Sequence, residues 1–143
     1  MSGLLIRPPK AADAEALARL ATQLGYASET AQMSARLAHL KDHPDIRALV
    51  AESGGPIAGF IGLMVFPAFH RDGLHGYVTA FVVDEKQRGG GIGAALLKAA
   101  EAWFAERGAK RVNLTTALYR EDAHGFYEKQ GYTFTGKRYT KIL

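Results

Sequence analysis

Cysteine is absent from the 143-residue chain. That excludes a disulfide framework, a thiolate metal site and a cysteine nucleophile, and it suits a reducing compartment. Long apolar runs are also missing. The longest uncharged apolar stretch, residues 56–69, is shorter than the roughly 20 residues of a spanning helix and contains Gly59, Gly62 and Pro67. The opening MSGLLIRPPK has neither the apolar core nor the cleavage site of a signal peptide. These absences predict a soluble, cytoplasmic chain with no membrane partner. No block of like charge occurs despite a net charge of +4; the basic residues fall in small groups, such as Lys86 with Arg88, Lys110 with Arg111, and Lys137 with Arg138. A nucleic-acid arm is therefore not expected, whereas a small polyanionic ligand suits such a surplus. With 48% hydrophobic and 22% charged residues, the composition is that of an ordered protein, and the length suits a single domain over residues 1–143.

Periodicity divides the chain. Residues 4–7 read as a short strand closed by Pro8-Pro9. Residues 11–24 place Ala14, Leu17, Leu20, Ala21 and Leu24 at helical spacing, with Gly25 as the stop. A second helix is predicted from about residue 29 to 43, ended by Pro44. Residues 46–52 and 57–66 are strand-like, joined by Ser53-Gly54-Gly55-Pro56, a hairpin signal. A turn-rich stretch at 67–73 precedes a further strand at 77–83. The strongest helical pattern covers residues 92–107, where Ile92, Leu96, Ala100, Trp103 and Phe104 share a face. A strand at 111–116, a short helix at 121–129 and a last strand at 132–143 complete the order β-α-α-β-β-β-α-β-α-β. Hairpin-joined strands mixed with helices imply an α+β fold with a mostly antiparallel sheet and one parallel crossover near the glycines.

The most informative segment runs Phe81-Val82-Val83-Asp84-Glu85-Lys86-Gln87-Arg88-Gly89-Gly90-Gly91-Ile92-Gly93-Ala94. A buried strand ends in a polar turn, and four glycines within five positions lead into a helix. Glycine opens a helix poorly unless the backbone needs positive φ or a close approach to something else. Bare first-turn N–H groups and the positive end of the helix dipole suit a diphosphate. A Walker-type loop is excluded because Gly-Lys-Ser/Thr is missing. A dinucleotide fingerprint is formally matched by Gly89, Gly91 and Ala94. It should follow its strand directly, with a ribose-binding carboxylate about 20 positions on; residues 109–113 read Ala-Lys-Arg-Val-Asn instead.

Arg88-Gly89-Gly90-Gly91-Ile92-Gly93, followed by Ala94, fits Arg/Gln-x-x-Gly-x-Gly/Ala and resembles the loop that holds the acetyl-coenzyme A diphosphate in the GCN5-related N-acetyltransferase (GNAT) superfamily. Ala123, Phe126, Tyr127, Gly131 and Tyr132 are similar to that superfamily's later motif, Asn-x-x-Ala-x-x-Phe-Tyr-x-x-x-Gly-Phe/Tyr. Arg120 stands where asparagine is common in that motif. The resemblance extends along nearly the whole chain and implies a mixed, mostly antiparallel sheet of six to seven strands flanked by about four helices.

It also implies a mechanism: acetyl transfer from acetyl-CoA, as co-substrate and without a metal, to a primary amine of a small molecule or protein. Residues 88–94 would hold the diphosphate, and Phe81, Val82 and Val83 the pantetheine arm through their backbone. The Val83 N–H would polarise the thioester carbonyl, and Arg120 would reach a phosphate or an acidic acceptor. Tyr127, a phenol of ordinary pKa near 10, would protonate the leaving thiolate. A homodimer is the assembly the resemblance suggests. The glutamate that some members carry on the strand before the loop is replaced by Tyr77, and no carboxylate lies between Asp72 and Asp84. A water chain, His75, Tyr77 or a backbone carbonyl is left to take the amine proton. Tyr26, in Gln23-Leu24-Gly25-Tyr26, is a candidate for the acceptor pocket. His39 and His43 lack a third ligand and read as a solvated helix face. The competing class is a non-catalytic acyl-CoA-binding sensor or interaction module.

Overall fold

The computed structural model describes residues 3–116 and 121–143. Two compact units divide the chain, one through Asn113 and one from Leu114. Five strands form one sheet in sequence order: β1 (Leu4–Arg7), β2 (Ile46–Ser53), β3 (Ile57–Ala68), β4 (Arg71–Val83) and β5 (Ala109–Leu114). The β1–β2, β2–β3 and β3–β4 pairs are antiparallel. Lys110, at the start of β5, packs beside Gly73, near the start of β4, so the chain returns between these strands to the same end of the sheet. This is the crossover that the sequence implies, and the sheet is mixed.

The connection is α3 (Ile92–Glu106), while α1 (Ala14–Leu24) and α2 (Thr30–Leu40) lie between β1 and β2. Leu17, Leu20, Val50, Ile57, Val82 and Met33 form the core under α1, and Phe60 packs against it. The neighbouring Gly59 faces the other way, because successive strand residues point to opposite faces. A Cβ on Gly59 would sit 2.8 Å from Leu96 Cδ1, and one on Gly76 would sit 2.6 Å from Phe104 Cδ1. These two glycines let α3 settle against the sheet. Arg7 ties the start of α1 to the sheet: its guanidinium donates to both Asp13 oxygens, at 2.8 and 3.1 Å, and to Glu52 Oε1 at 2.6 Å. The Arg7 hydrogen bonds hold the Asp13 carboxyl below the usual range against the opposing effect of burial.

Several sequence expectations change. The sheet has five strands among the described residues, not six to seven, because residues 132–143 do not join it. That segment has the threonines and aromatics of a strand, but propensity without a buried face does not make one: Phe134, Tyr139 and Ile142 are all largely exposed. The turn-rich stretch shrinks to Phe69-His70, since β3 extends to Ala68 and β4 starts at Arg71, with a register shift at Pro67 absorbing the misfit. α2 stops at Leu40, before Pro44, where the His43 N–H turns back to the Leu40 carbonyl. Among the described residues, no helix is long and apolar enough to cross a membrane.

Candidate active site

The end of β4 turns one row of backbone groups away from β3. The Asp84 N–H donates to the Ala58 carbonyl on β3 at 2.8 Å. By the alternation of strand backbone groups, the N–H and C=O of Val83 and Phe81 therefore point to the opposite edge. The Val83 carbonyl there accepts from Arg88 Nε at 3.1 Å. β5 has six residues against thirteen in β4, and the two start together, so β4 outruns β5 toward the loop. The Val82 side chain is buried in the α1 core, and by the same alternation its backbone N–H and C=O face β3. Phe81 and Val83 are half-buried.

Beyond Val83 the chain is pinned by Asp84, a buried carboxylate that the sequence analysis passed over as a role-bearing residue. Its Oδ1 accepts the Lys86 N–H at 3.1 Å and opens a 3-10 turn over Glu85–Gln87. From α1, Arg19 pairs with Oδ2 at 2.8 Å, while Gln23 reaches Oδ1 at 3.4 Å and accepts the Glu85 N–H at 3.0 Å. The Lys86 N–H, followed by Arg19 and Gln23, holds the Asp84 carboxyl below its usual range although burial opposes this. An aspartate directly after an apolar strand and before a turn is an Asx-turn signal, so the feature was readable.

The glycines then do what their sequence pattern suggests. Gly89 has φ 87° and Gly91 has φ 85°, both left-handed, a conformation that a Cβ disfavours. Gly91 is the residue at the α3 start, and no side chain caps it. The first intrahelical bond runs from the Ala95 N–H to the Gly91 carbonyl at 3.0 Å, leaving the N–H groups of Ile92, Gly93 and Ala94 without an intrahelical acceptor. A Cβ on Gly90 would meet nothing nearer than the Gln87 carbonyl at 3.7 Å. The Ile92 side chain is buried and packs near Gly59, so its site contribution is the backbone. This row of amides without intrahelical acceptors, with Arg88 held on the Val83 carbonyl beside it, fits a diphosphate.

The candidate proton acceptors lie further back on β4. Tyr77 pairs with Met64 and His75 with Phe66. His75 is buried, stacked beside His70 with ring centroids 6.3 Å apart, and its Nε2 has no hydrogen-bond partner among the described residues. A cavity of about 1030 Å³ lies against α2 and the α1 end of the sheet, lined by Met33, Leu37, Phe60, Thr79 and Ala80, with Tyr26 on its wall. Lys10, Arg36, Lys41 and Arg47 also line it, opposed by Asp42. His39 and His43 are both exposed, and His43 Nδ1 accepts the Asp45 N–H at 3.1 Å.

In the second unit, α4 (Glu121–Lys129) carries Tyr127. The Tyr132 N–H returns to the Tyr127 carbonyl and the Gly131 N–H to Glu128, at 3.0 and 3.1 Å, with Gly131 at φ 91°. This is a Schellman ending. Its apolar contact is Tyr132 edge-on to Tyr127, with centroids 6.1 Å apart; Phe126 flanks the same ring at 5.5 Å. The spacing of Tyr127, Gly131 and Tyr132 is thus the geometry of one helix end. Arg120 lies outside the described residues.

Known proteins resemble this chain in sequence and in fold. The aminoalkylphosphonate N-acetyltransferase of Salmonella typhimurium is 35% identical over 100 residues, which is 70% of this chain and 65% of that protein's length. The chain thus spans about two thirds of that relative. An uncharacterized N-acetyltransferase of Bacillus subtilis, YhfO, is 33% identical over 133 residues, covering 89% of this chain and 88% of its own. The solved glucosamine-6-phosphate N-acetyltransferase of Arabidopsis thaliana matches with a TM-score of 0.86 at 22% identity, over 98% of each chain; this likeness is one of fold. The family pattern named Acetyltransferase (GNAT) matches residues 14–132, from the start of α1 to the end of the Tyr127 segment. By that match and those relatives, the chain belongs to the acetyltransferase (GNAT) family.

Proposed function

We propose that this protein transfers an acetyl group from acetyl-CoA to a primary amine on a molecule that also carries an anionic group. One observation carries the reading: the outward-facing edge of β4 leads, through the Asp84 turn, into an uncapped helix start with Gly89 and Gly91 left-handed. The amides of Ile92, Gly93 and Ala94 bind the diphosphate, and the outward groups of Phe81 and Val83 align the pantetheine arm. The Val83 N–H polarises the thioester carbonyl. The amine nitrogen forms a bond to the carbonyl carbon as the carbon–sulfur bond breaks. The nitrogen loses a proton to water, the departing thiolate takes one from Tyr127, and water returns a proton to the Tyr127 oxygen.

The anionic group on the acceptor is supported by the basic residues along the cavity, Lys10, Arg36, Lys41 and Arg47, and by the phosphonate substrate in the name of the Salmonella relative. The test is thiol release from acetyl-CoA across a panel of amines with and without phosphonate, phosphate or carboxylate groups. Turnover of the anionic amines above their neutral analogues is expected. Binding of acetyl-CoA with no turnover of any amine would instead assign the chain to acyl-CoA sensing.

A further inference from the structure

Three arginines of the first unit pair with carboxylates: Arg7 with Asp13 and Glu52, Arg19 with Asp84, and Arg107 with Asp45. Arg36, on α2, is held differently. Its Nη1 donates to Ser28 Oγ at 2.9 Å, and it forms no ion pair among the described residues. The Ser28 hydroxyl directs its one proton to the Tyr26 carbonyl at 2.9 Å, so its lone pairs are left to accept the guanidinium. Ser28 is in turn fixed from α1, where Thr22 Oγ1 accepts its N–H at 3.2 Å. A neutral partner thus orients the Arg36 guanidinium without cancelling its charge, and Arg36 lines the cavity beside α2.

We infer that Arg36 is the residue that reads the anionic group of the acceptor, its guanidinium forking onto two oxygens of a phosphonate or phosphate. This rests on the acetyltransferase reading above. Arg36 touches no reacting atom; it sets specificity from the far end of the acceptor. Tyr26, whose carbonyl carries Ser28, comes three residues after Gln23, and Gln23 Oε1 accepts the Glu85 N–H two residues beyond Val83. The turn between α1 and α2 therefore borders the end of β4, where the thioester carbonyl is polarised. An acceptor bound here carries its anion on the α2 side and its amine toward β4. The planar fork matches such an oxyanion in a bidentate way, and orientation by Ser28 reduces the rotamer entropy lost on binding. Lys10, Lys41 and Arg47 line the same cavity and add a field of the same sign. None of their side chains makes a hydrogen bond among the described residues, so Arg36 is the pre-oriented cation of the four.

The test measures thiol release by the full chain with acetyl-CoA and two probe amines, 2-aminoethylphosphonate and its neutral counterpart ethanolamine. Arg36→Gln should raise KM for the phosphonate about tenfold, the worth of one charge-assisted pair at an exposed site. Its kcat, its acetyl-CoA affinity by calorimetry and its constants for ethanolamine should match wild type. Arg36→Lys keeps the charge without the fork and should recover part of the loss. Ser28→Ala frees the guanidinium to swing and should raise the same KM about threefold. If wild type prefers the phosphonate and Arg36→Gln keeps that preference, or weakens both amines alike, the role of Arg36 is overturned while the acetyltransferase reading stands. If wild type acetylates ethanolamine as well as the phosphonate, the anion preference and Arg36 fall and acetyl transfer stands. If wild type binds acetyl-CoA and acetylates neither the probes nor the panel, both readings fall together.

Discussion

At the start of α2, Gln32 Oε1 accepts the Glu29 N–H at 2.9 Å, and Asp13 does the same for Lys10 ahead of α1 at 2.7 Å. At the start of α3 no side chain performs this task. The difference follows from how each helix is held. Only Met33 of α2 is fully buried, so this helix relies on its own termini; α3 buries Ile92, Leu96, Leu97, Ala100 and Phe104. A cap is worth about 1 kcal/mol, while burial of each large apolar side chain is worth roughly 1.5–3 kcal/mol. Packing therefore stabilises α3 enough to leave its first amides open for a ligand.

The largest way to break this contrast is Gly91→Glu. It forces a side chain onto a left-handed residue, costing roughly 1–2 kcal/mol, and sets a carboxylate beside the open amides. Acetyl-CoA affinity by calorimetry should fall at least about 100-fold, with the melting temperature followed alongside; unchanged affinity would remove the loop from the site. Tyr127→Phe should come next, with kcat down about 100-fold, at the lower end of general acid catalysis, and acetyl-CoA affinity preserved. Equal turnover would take Tyr127 out of the chemistry.

Asp84→Asn sharpens the comparison at the root of the loop. It should cost about 1–2 kcal/mol in urea unfolding, since the half-exposed Arg19 partner adds little. The folded Asp84 pKa lies below its unfolded value of about 3.9. Its stabilising contribution is therefore complete above that pH and is lost as pH falls through the folded value. Wild type should lose stability more steeply than Asp84→Asn below about pH 4. The smallest effect belongs to Gln32→Ala, within about 1 kcal/mol of stability, with acetyl-CoA binding untouched. A binding defect there would show that α2 and α3 are not separate cases.

Strong periodicity made α1 and α3 legible, and Gly25 and Gly108 mark their ends at φ 114° and 80°. The glycine loop was legible because residues 89–93 combine a conformational demand with a helix start. The last strand was misread because Tyr132, Thr133 and Phe134 have strand propensity, and propensity does not report whether a ladder is within reach. Gly59 and Gly76 were visible as residues but not as contacts: their partners, Leu96 and Phe104, are distant in sequence.

Those two glycines have a consequence for the ligand itself. They act as seats of fixed depth for the rod that carries the binding amides at its tip. Added bulk at either seat levers that tip, so affinity becomes sensitive to positions that no bound molecule touches. An engineer wishing to retune the carrier site without entering it would begin beneath α3.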